Sequence, residues 1–268
     1  MRVLDRADQL RKELDAARAA GRCVGLVPTM GALHEGHASL IRRSAAECDV
    51  TAVTVFVNPL QFGPGEDLDS YPAGLAADIA AAASAGTDVL FAPSVSEMYP
   101  GGRPEVTVHV AGAEVMEGAS RPGHFDGVAT VVAKLCNLAG PCRAYFGEKD
   151  WQQLGVVRRL AADLSMPVEV VGCPTVRESD GLALSSRNVK LSPDERVAAT
   201  VLYRALSTAA TAVAAGECDV GRLMANMVAR EPLATLDYAE ALPDRLLIAA
   251  RIGSVRLIDN IHTERSTV

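Results

Sequence analysis

The chain has 268 residues, of which 49% are hydrophobic and 22% are charged, and its formal net charge at pH 7 is −7. This length suffices for one large domain with a smaller one attached. The acidic balance argues against a general nucleic-acid-binding protein, because that function needs a basic surface. Any anion site must therefore be a local positive pocket.

The sequence predicts neither export nor membrane insertion. The opening residues, MRVLDRADQLRKEL, form an amphipathic pattern with charges throughout, unlike a signal peptide. The longest apolar run, 197–215, contains Arg204 and several hydroxyl groups, so we expect a packed helix. The six cysteines show neither a CxxC pair nor zinc-ligand spacing, and we expect reduced, buried thiols in a cytoplasmic protein. These cysteines are Cys23, Cys48, Cys136, Cys142, Cys173 and Cys218.

Strand and helix patterns alternate through the first two thirds of the chain. The predicted helices cover 6–20, 38–46, 75–84 and 125–138, with another beginning near Lys149. The predicted strands cover 23–27, 50–58, 88–93, 105–110, 143–146 and 167–173. The strand at 50–58 is apolar without alternation, as expected when helices cover both faces of a sheet. This order predicts an α/β fold with a doubly wound parallel sheet.

The pattern changes after about Arg187. Ser192 and Glu195 form a capping box around Pro193, which opens a long helix to Ala215. A second helix near 221–230 and strand patterns at 236–241 and 255–258 complete the chain. We therefore predict two domains, 1–176 and 177–268, the second being a small α+β domain.

The stretch GLVPTMGALHEGH, residues 25–37, lies where a strand ends and a helix begins. Free backbone N–H groups at such a helix start favour an anion. His34 and His37 are three residues apart and share one helix face, while Gly31 and Gly36 permit close approach by a ligand. The pattern indicates a phosphate site, although a solvated helix start or half of a metal site would fit it equally well.

Polar side chains also follow three other predicted strands. The segments are NPLQFGPGEDL (58–68), GEKDWQQL (147–154) and PTVRESDGLALSSRN (174–188). Ligands of doubly wound sheets bind beyond the carboxyl ends of the strands, so we expect all four loops to share one site.

Each loop also has a plainer interpretation when taken alone. Lys149 with Asp150 fits a solvated helix start, Ser185–Arg187 fits a polar linker, and Gln61 and Gln153 fit ordinary surface amides. Together they provide a point charge, hydroxyl and guanidinium donors, and amides that hold oxygen atoms.

Arg121 and His124 belong to a glycine-rich turn, SRPGHFDG, that precedes a predicted helix. They offer a further anion contact or, as we favour, a cap for the loop.

Five segments resemble the signature segments of the pantothenate synthetase (pantoate–β-alanine ligase) family in order and spacing. They are PTMGALHEGH, FVNPLQFGPGEDLDSYP, RPGHFDGVATVV, YFGEKDWQQL and ESDGLALSSRN. The resemblance runs from about Val3 to the end and includes DYAEAL (237–242) and RLIDN (256–260). The HxGH element alone is shared with the wider superfamily of nucleotidylyltransferases and class I aminoacyl-tRNA synthetases, whereas the other segments are not.

The resemblance implies a Rossmann-like domain whose small C-terminal partner closes over the site. It also implies a two-step ligation. Pantoate carboxylate attacks the α-phosphate of Mg²⁺-bound ATP to give pantoyl adenylate and pyrophosphate, and the amine of β-alanine then displaces AMP. The family resemblance further implies a cytoplasmic homodimer with small-molecule substrates and no nucleic-acid or membrane partner.

Site residues are carried over by matching motif. The catalytic set is His34, His37, Lys149 and Arg187, with His37 as the residue usually assigned as proton donor. The ATP contacts are Pro28, Thr29, Met30, Gly31, Ala32, Leu33, His34, Glu35, Gly36, His37, Gly147, Glu148, Lys149, Asp150, Val176, Leu184, Ser185, Ser186 and Arg187. Gln61 matches a contact to pantoate and β-alanine, Gln153 a second pantoate contact, and Asn58 part of the acyl pocket. No side chain is expected to be a dedicated metal ligand.

The chain departs from the family at two positions, Leu184 in place of Met and Trp151 in place of Tyr or Phe. Both remain apolar, so we expect altered nucleotide packing and retained chemistry. We also expect the helix dipole to lower the pKa of His34 and His37, leaving both imidazoles partly neutral near pH 7.

Three alternatives remain open from the residues. A nucleotidylyltransferase of the same superfamily shares the histidine motif but needs a basic acceptor pocket, where this chain offers Asn58, Gln61 and Gln153. A nucleotide-binding regulatory module would show no turnover. A metalloprotein built on His34 and His37 would need carboxylate or cysteine ligands that are missing at convincing spacing.

Overall fold

The computed structural model of the chain describes residues 1–72 and 74–263. Two compact units divide the chain, Met1–Pro174 and Thr175–Val268. The division falls two residues before the predicted one, so Val176 belongs to the second unit. The last five residues of the predicted second domain lie outside the described residues.

The first unit alternates strands and helices. Its strands are β1 (Arg2–Leu4), β2 (Val24–Thr29), β3 (Val50–Val55), β4 (Val89–Phe91), β5 (Cys142–Gly147) and β6 (Val168–Cys173). Its helices are α1 (Ala7–Ala19), α2 (Glu35–Glu47), α3 (Leu75–Ala85), α4 (Val95–Met98), α5 (Glu117–Ser120), α6 (His124–Ala139) and α7 (Trp151–Asp163). Two 3-10 turns, Pro59–Gln61 and Glu148–Asp150, follow β3 and β5.

The six strands form one sheet in the order β1-β4-β3-β2-β5-β6, and every described pairing in it is parallel. The predicted α/β fold with a parallel sheet is therefore confirmed. From β2 the chain winds outward through β3 and β4, then returns to the other side of β2 for β5 and β6. Ligands bind where the winding direction reverses, so the loops that follow β2 and β5 flank the expected site.

The core of this unit explains the apolar strand sequences. Residues 50–54 of β3 are all buried, since helices cover both faces of the sheet. On one face, Leu10 and Leu14 of α1 pack in a cluster with residues of α6 and α7. On the other face, Leu40 and Ile41 of α2 pack with α3. The two layers fix α2, and with it the HxGH segment, against the sheet.

One predicted strand, 105–110, is wrong. The segment bends at residues 105 and 106 and joins no strand, and two of its backbone N–H groups donate to side chains of α6. Val108 N donates to Thr130 Oγ1 at 2.9 Å, and Val110 N donates to Asp126 Oδ1 at 2.8 Å. The short edge strand β1 was not predicted, because it has only three residues and one of them is Arg2.

The second unit is a small α+β structure. A 3-10 turn (Ser186–Lys190) leads to helices α8 (Pro193–Ala198), α9 (Val201–Ala214) and α10 (Val220–Ala229). Strands β7 (Ala234–Ala241), β8 (Arg245–Ile252) and β9 (Val255–His262) form an antiparallel sheet in that order. The predicted single helix is interrupted between α8 and α9, while the predicted capping box at Ser192 is present. Strand β8 was missed, because its run LLIAARI is as compatible with a buried helix as with a buried strand.

Among the described residues, one helical stretch, Pro193–Ala214, has the length and apolarity of a membrane span. Half of its most apolar window is buried inside the protein, where Val201, Leu202 and Leu206 join the core of the second unit. It packs as the core helix that its hydroxyl groups and Arg204 predicted.

The prediction for the cysteines needs correction. All six are free thiols, but Cys23 and Cys218 are exposed and Cys48 is half-buried. The Sγ atoms of Cys23 and Cys48 are 3.2 Å apart, in contact without being bonded.

Candidate active site

The loop between β2 and α2 carries the HxGH segment in a constrained conformation. Gly31 has φ +84°, and Ala32 follows with φ +50°, a conformation that costs an ordinary residue energy. The buried carboxylate of Asp78, on α3, holds this turn by accepting hydrogen bonds from Leu33 N at 2.8 Å and Ala32 N at 3.2 Å. A Cβ at residue 31 would lie 2.8 Å from Asp78 Oδ2, so the close approach requires glycine.

The two histidines form a reciprocal capping box at the start of α2. The helix begins at Glu35, three residues earlier than predicted, which makes His34 the N-cap and places His37 in the first turn. His34 Nδ1 accepts from Gly36 N at 3.1 Å, and His37 Nδ1 accepts from His34 N at 3.3 Å. The ring centroids are 4.1 Å apart. The imidazoles therefore occupy the N-terminal end of the helix, where backbone N–H groups favour an anion.

These hydrogen bonds determine where each imidazole carries its proton. Because both Nδ1 atoms accept a backbone N–H, the neutral rings carry hydrogen on Nε2 and are donors there. Burial, followed by the nearby positive charge of Lys149, lowers the pKa of His34 to about 4. Burial, followed by the influence of His34, lowers the pKa of His37 to about 3. The predicted pKa depression is confirmed, but burial is its largest cause, whereas the helix dipole was expected to be.

Lys149 and Asp150 lie in the 3-10 turn that follows β5, across the reversal point from the histidines. Lys149 Nζ is 3.8 Å from Asp150 Oδ1. Both charges affect the pKa of both histidines, so this pair and the imidazoles form one electrostatic cluster. The loops after β2 and β5 thus meet, as predicted.

The turn that follows β3 joins the same loop through a row of hydrogen bonds. Asn58 and Gln61 are buried, and Asn58 Nδ2 donates to Gln61 Oε1 at 3.0 Å. Gln61 Nε2 donates to Met30 Sδ at 3.1 Å, within the HxGH loop. The hydroxyl of Tyr99, also buried, donates to Asn58 Oδ1 at 2.9 Å. Neutral amides, with no charged partner among these contacts, thus form this side of the site.

Helix α6 packs closely against the turn Pro59–Gln61. A Cβ on Gly127 would lie 2.3 Å from Leu60 O and 2.6 Å from Gln61 N, so only glycine permits this approach. His124 Nδ1 lies 2.9 Å from Gln61 O, and Arg121 Nη2 donates to the same oxygen at 3.3 Å.

The guanidinium of Arg121 has a second partner, Glu66, at 2.7 Å. Burial and the charge of Arg121 lower the pKa of His124 to about 4, so this imidazole is also neutral at pH 7. Arg121 and His124 act as the loop cap that we favoured over an anion contact.

The remaining predicted residues fall in two places. Pro28 and Thr29 end β2, Gly147 ends β5, and Trp151 and Gln153 are half-buried in the first turn of α7. In the second unit, Leu184 N donates to Val176 O at 3.0 Å. Ser185 caps the 3-10 turn that contains Ser186 and Arg187, accepting from Arg187 N at 3.3 Å.

Two residues of the site were missed by sequence reasoning. Asp78 offered a weak signal, as a single acid in the alanine-rich run LAADIAAAASA. Tyr99 offered none, because its segment EMYP reads as an ordinary turn after α4. Both reach the site from elements far away in the sequence.

A parallel sheet with paired imidazoles at a helix start beside its reversal point defines a class of protein, the nucleotide-binding α/β enzymes. Comparison with known sequences narrows the class. A sequence model of the pantoate-beta-alanine ligase family matches residues 2–262. The chain belongs to the pantoate–β-alanine ligase family.

Individual relatives agree with this membership over nearly their whole length. The pantothenate synthetase of Deinococcus radiodurans is 54% identical, with 92% of this chain and 96% of the relative covered. That of Pseudomonas fluorescens is 49% identical, with 98% and 99% covered.

Solved structures agree as well. The pantothenate synthetase of Thermus thermophilus superimposes with a TM-score of 0.91 at 48% identity, covering 97% of this chain and 99% of the other. The pantoate-beta-alanine ligase of Francisella tularensis, solved as a complex with beta-gamma ATP and β-alanine, has a TM-score of 0.85 at 36% identity. That match covers 99% of this chain and 100% of the Francisella chain.

Proposed function

We propose that this ATP-dependent ligase joins pantoate to β-alanine through a pantoyl-adenylate intermediate, with the chemistry carried by the HxGH loop and Lys149. Family membership supports the reaction, and the Francisella relative that is bound to beta-gamma ATP and β-alanine supports both substrates. The observation that carries the proposal is the pair of neutral imidazoles, His34 and His37, with donor Nε2–H groups at the start of α2.

The first step brings two anions together. The pantoate carboxylate oxygen attacks the α-phosphorus of ATP, an O–P bond forms, and the bond to pyrophosphate breaks. Charge that develops on the phosphate oxygens is stabilised by donors fixed in advance. We assign this role to the Nε2–H groups of His34 and His37 and to the ammonium of Lys149.

The second step needs no further cofactor. The neutral amine of β-alanine attacks the acyl carbon, the C–O bond to AMP breaks, and the proton that the nitrogen loses passes to the solvent. In the neutral tautomer, His37 has no basic nitrogen available, because Nδ1 accepts a backbone N–H and Nε2 carries hydrogen. We therefore assign His37 a hydrogen-bonding role toward the departing phosphate and do not assign it as the base that takes the amine proton.

Magnesium is expected to arrive with ATP. Among the described residues, no cluster of three His, Cys, Asp or Glu side chains is arranged to hold a metal ion. Mg²⁺ commonly uses only one or two carboxylates together with substrate phosphates. Asp150 fits that requirement, since its charge acts on both histidines. When bound, Mg²⁺ would neutralise charge on the phosphates.

The acceptor side of the site favours a ligase over a nucleotidylyltransferase. The second substrate of a nucleotidylyltransferase carries its own phosphate, and that phosphate needs cationic side chains to bind it. Here the turn after β3 offers Asn58 and Gln61, which suit a hydroxy acid. We assign Gln61 and Gln153 to pantoate and place Asn58 in the acyl pocket.

The second unit supplies the remaining contacts in this proposal. From the family resemblance we assign Val176 and Leu184 to the nucleotide, and Ser185, Ser186 and Arg187 to the phosphates. A cytoplasmic location, argued from the free cysteines, and a homodimer, which rests on the family resemblance alone, complete the proposal. Light scattering of the purified protein tests the dimer.

Isotope transfer tests the reaction directly. The protein is incubated with ATP, Mg²⁺ and D-pantoate labelled with ¹⁸O in its carboxylate, with and without β-alanine. We expect pyrophosphate in both samples. In the complete reaction we expect AMP with one ¹⁸O atom, and pantothenate with one ¹⁸O atom fewer than the D-pantoate supplied.

Other outcomes overturn the proposal in distinguishable ways. Formation of ADP would mean attack at the γ-phosphate. A nucleotide that stays covalently attached to the final product would indicate nucleotidyl transfer. Absence of any ATP cleavage would indicate a binding module.

A further inference from the structure

We propose that Tyr99 and Asn58 are positioning residues that fix the orientation of the Gln61 amide, so that Gln61 presents N–H donors to an acceptor oxygen of pantoate. This inference deepens the proposed function and rests on it. The chain Tyr99–Asn58–Gln61–Met30 is called the amide relay below. It connects the end of α4, the turn after β3 and the HxGH loop.

Two backbone groups set the direction of the amide relay. Leu60 N can only donate, and it lies 3.3 Å from Asn58 Oδ1. Gly127 O can only accept, and it lies 3.0 Å from Asn58 Nδ2. The Asn58 amide is therefore oriented with its oxygen toward Leu60 and its nitrogen toward Gly127.

The donor and acceptor roles of Tyr99 and Gln61 follow from the orientation of Asn58. Asn58 Oδ1 can only accept, so the Tyr99 hydroxyl must donate to it, and its 2.9 Å bond is the shorter of the two on that oxygen. Asn58 Nδ2 must donate to Gln61, which turns Gln61 Oε1 toward Asn58 at 3.0 Å. Gln61 Nε2 is thus left to face Met30.

The last contact of the relay is the weak one. The partner of Gln61 Nε2 is the thioether sulfur of Met30 at 3.1 Å, and thioethers are poor acceptors. A carboxylate or hydroxyl oxygen would be a better partner. The relay therefore selects for a ligand with an acceptor oxygen at this point and against one with an N–H donor there.

Tyr99→Phe tests the proposal by removing a single oxygen atom from the relay. We expect the KM for D-pantoate to rise about three- to tenfold, because the restraint on Asn58 Oδ1 is reduced to one longer hydrogen bond. The KM for ATP is expected to stay within twofold of the unaltered enzyme, a split that a general loss of folding would not produce.

Tyr145→Phe is the matched control. Tyr145 is also fully buried, and its hydroxyl donates to Glu47 Oε2 at 3.0 Å, outside the amide relay. Loss of this hydroxyl is expected to affect thermal stability about as much as Tyr99→Phe and to leave the KM for D-pantoate unchanged.

Asn58→Asp reverses the relay. A carboxylate has no donor for Gly127 O or Gln61 Oε1, so the Gln61 amide turns over and presents its oxygen to the substrate. We expect a larger loss, at least thirtyfold in the KM for D-pantoate, and calorimetry with D-pantoate alone should show the same order of affinities.

Equal pantoate affinities in the unaltered enzyme, Tyr99→Phe and Asn58→Asp would overturn the relay. Equal losses in Tyr99→Phe and Tyr145→Phe would also overturn it, by showing a general packing effect. Failure of the proposed function is distinguishable, because the unaltered enzyme would then form no AMP from ATP, D-pantoate and β-alanine.

Discussion

At the scale of single residues, the proposed function makes His34 and His37 preorganised donors. An imidazolium would attract phosphate more strongly, but its charge would cost desolvation in this buried position. Burial keeps both rings neutral, and the backbone N–H groups bound at Nδ1 leave a fixed donor at Nε2. Lys149 then supplies the positive charge near them, since its effect on both pKa values places it within electrostatic reach.

Removal of these groups should affect chemistry more than folding. We expect His37→Ala and Lys149→Ala each to lower the rate of pyrophosphate release tenfold to a hundredfold, since each removes about 1.5–3 kcal/mol of transition-state stabilisation. The apparent Tm should change little in Lys149→Ala and fall by only a few degrees in His37→Ala, which also removes the acceptor of His34 N. Lys12→Ala is the control, because Lys12 is exposed on α1. Retained activity with a large fall in Tm would instead make the two residues structural.

Asp78 is the residue on which the HxGH loop conformation depends. Asp78→Ala leaves two part-buried backbone N–H groups, of Ala32 and Leu33, without their acceptor, which costs up to about 1–3 kcal/mol per group. We expect a lower Tm and a raised KM for ATP, measured by thermal unfolding and steady-state kinetics. Asp78→Asn keeps one acceptor oxygen and should recover part of both effects, and failure to do so would contradict a role through hydrogen bonding.

At the scale of elements, the site depends on how closely α6 approaches the turn Pro59–Gln61. Gly127 is the point of contact, where the backbone of the turn leaves no space for a methyl group. Because this turn carries the amide relay, small shifts of α6 should change pantoate binding specifically.

Two glycine-to-alanine substitutions in helices separate this contact from helix propensity. Gly127→Ala should destabilise the protein by about 1–3 kcal/mol through overpacking and raise the KM for D-pantoate. Gly155→Ala, on α7, meets nothing within 4 Å and should stabilise the protein by about 0.5–1 kcal/mol. Denaturant titration measures both. If both substitutions raised the free energy of unfolding, or both lowered it, the predicted contact would be contradicted.

At the scale of the whole molecule, buried neutral histidines couple stability to pH. The folded-state pKa values of His34, His37 and His124 are lowered to about 4, 3 and 4. Above pH 6.5 these groups are neutral in both the folded and the unfolded state. As the pH falls below 6.5, the unfolded chain takes up protons that the folded protein does not, so the free energy of unfolding decreases.

We therefore expect the apparent Tm to fall by several degrees between pH 7 and pH 5, a range above the usual carboxylate pKa values. His109 has the opposite sign, because its hydrogen bond with Asp126 raises its pKa, but it is exposed. His109→Gln should leave the fall in Tm intact, whereas His124→Gln should reduce it. A flat profile would show that the imidazoles are accessible to protons.

The local sequence determined the parallel sheet and the position of the HxGH loop. The strand at 50–55 is apolar apart from its threonines and lacks a regular polar alternation. Helices separate it from the strand at 142–147, which excludes most other arrangements. The HxGH segment was recognisable because strand end, glycines and histidines lie within thirteen residues. Such signals depend on neighbours along the chain.

Tertiary structure alone decided the features that depend on distant neighbours. The neutral state of His34 and His37 follows mainly from burial, and the conformation of their loop from Asp78, more than forty residues away. The segment 105–110 has the sequence pattern of a strand, but its Val108 and Val110 N–H groups donate to side chains of α6. The orientation of Gln61 follows from Tyr99 and Gly127. In each case the deciding partner comes from another element, and hydrophobic periodicity carries no information about which polar groups such elements bring together.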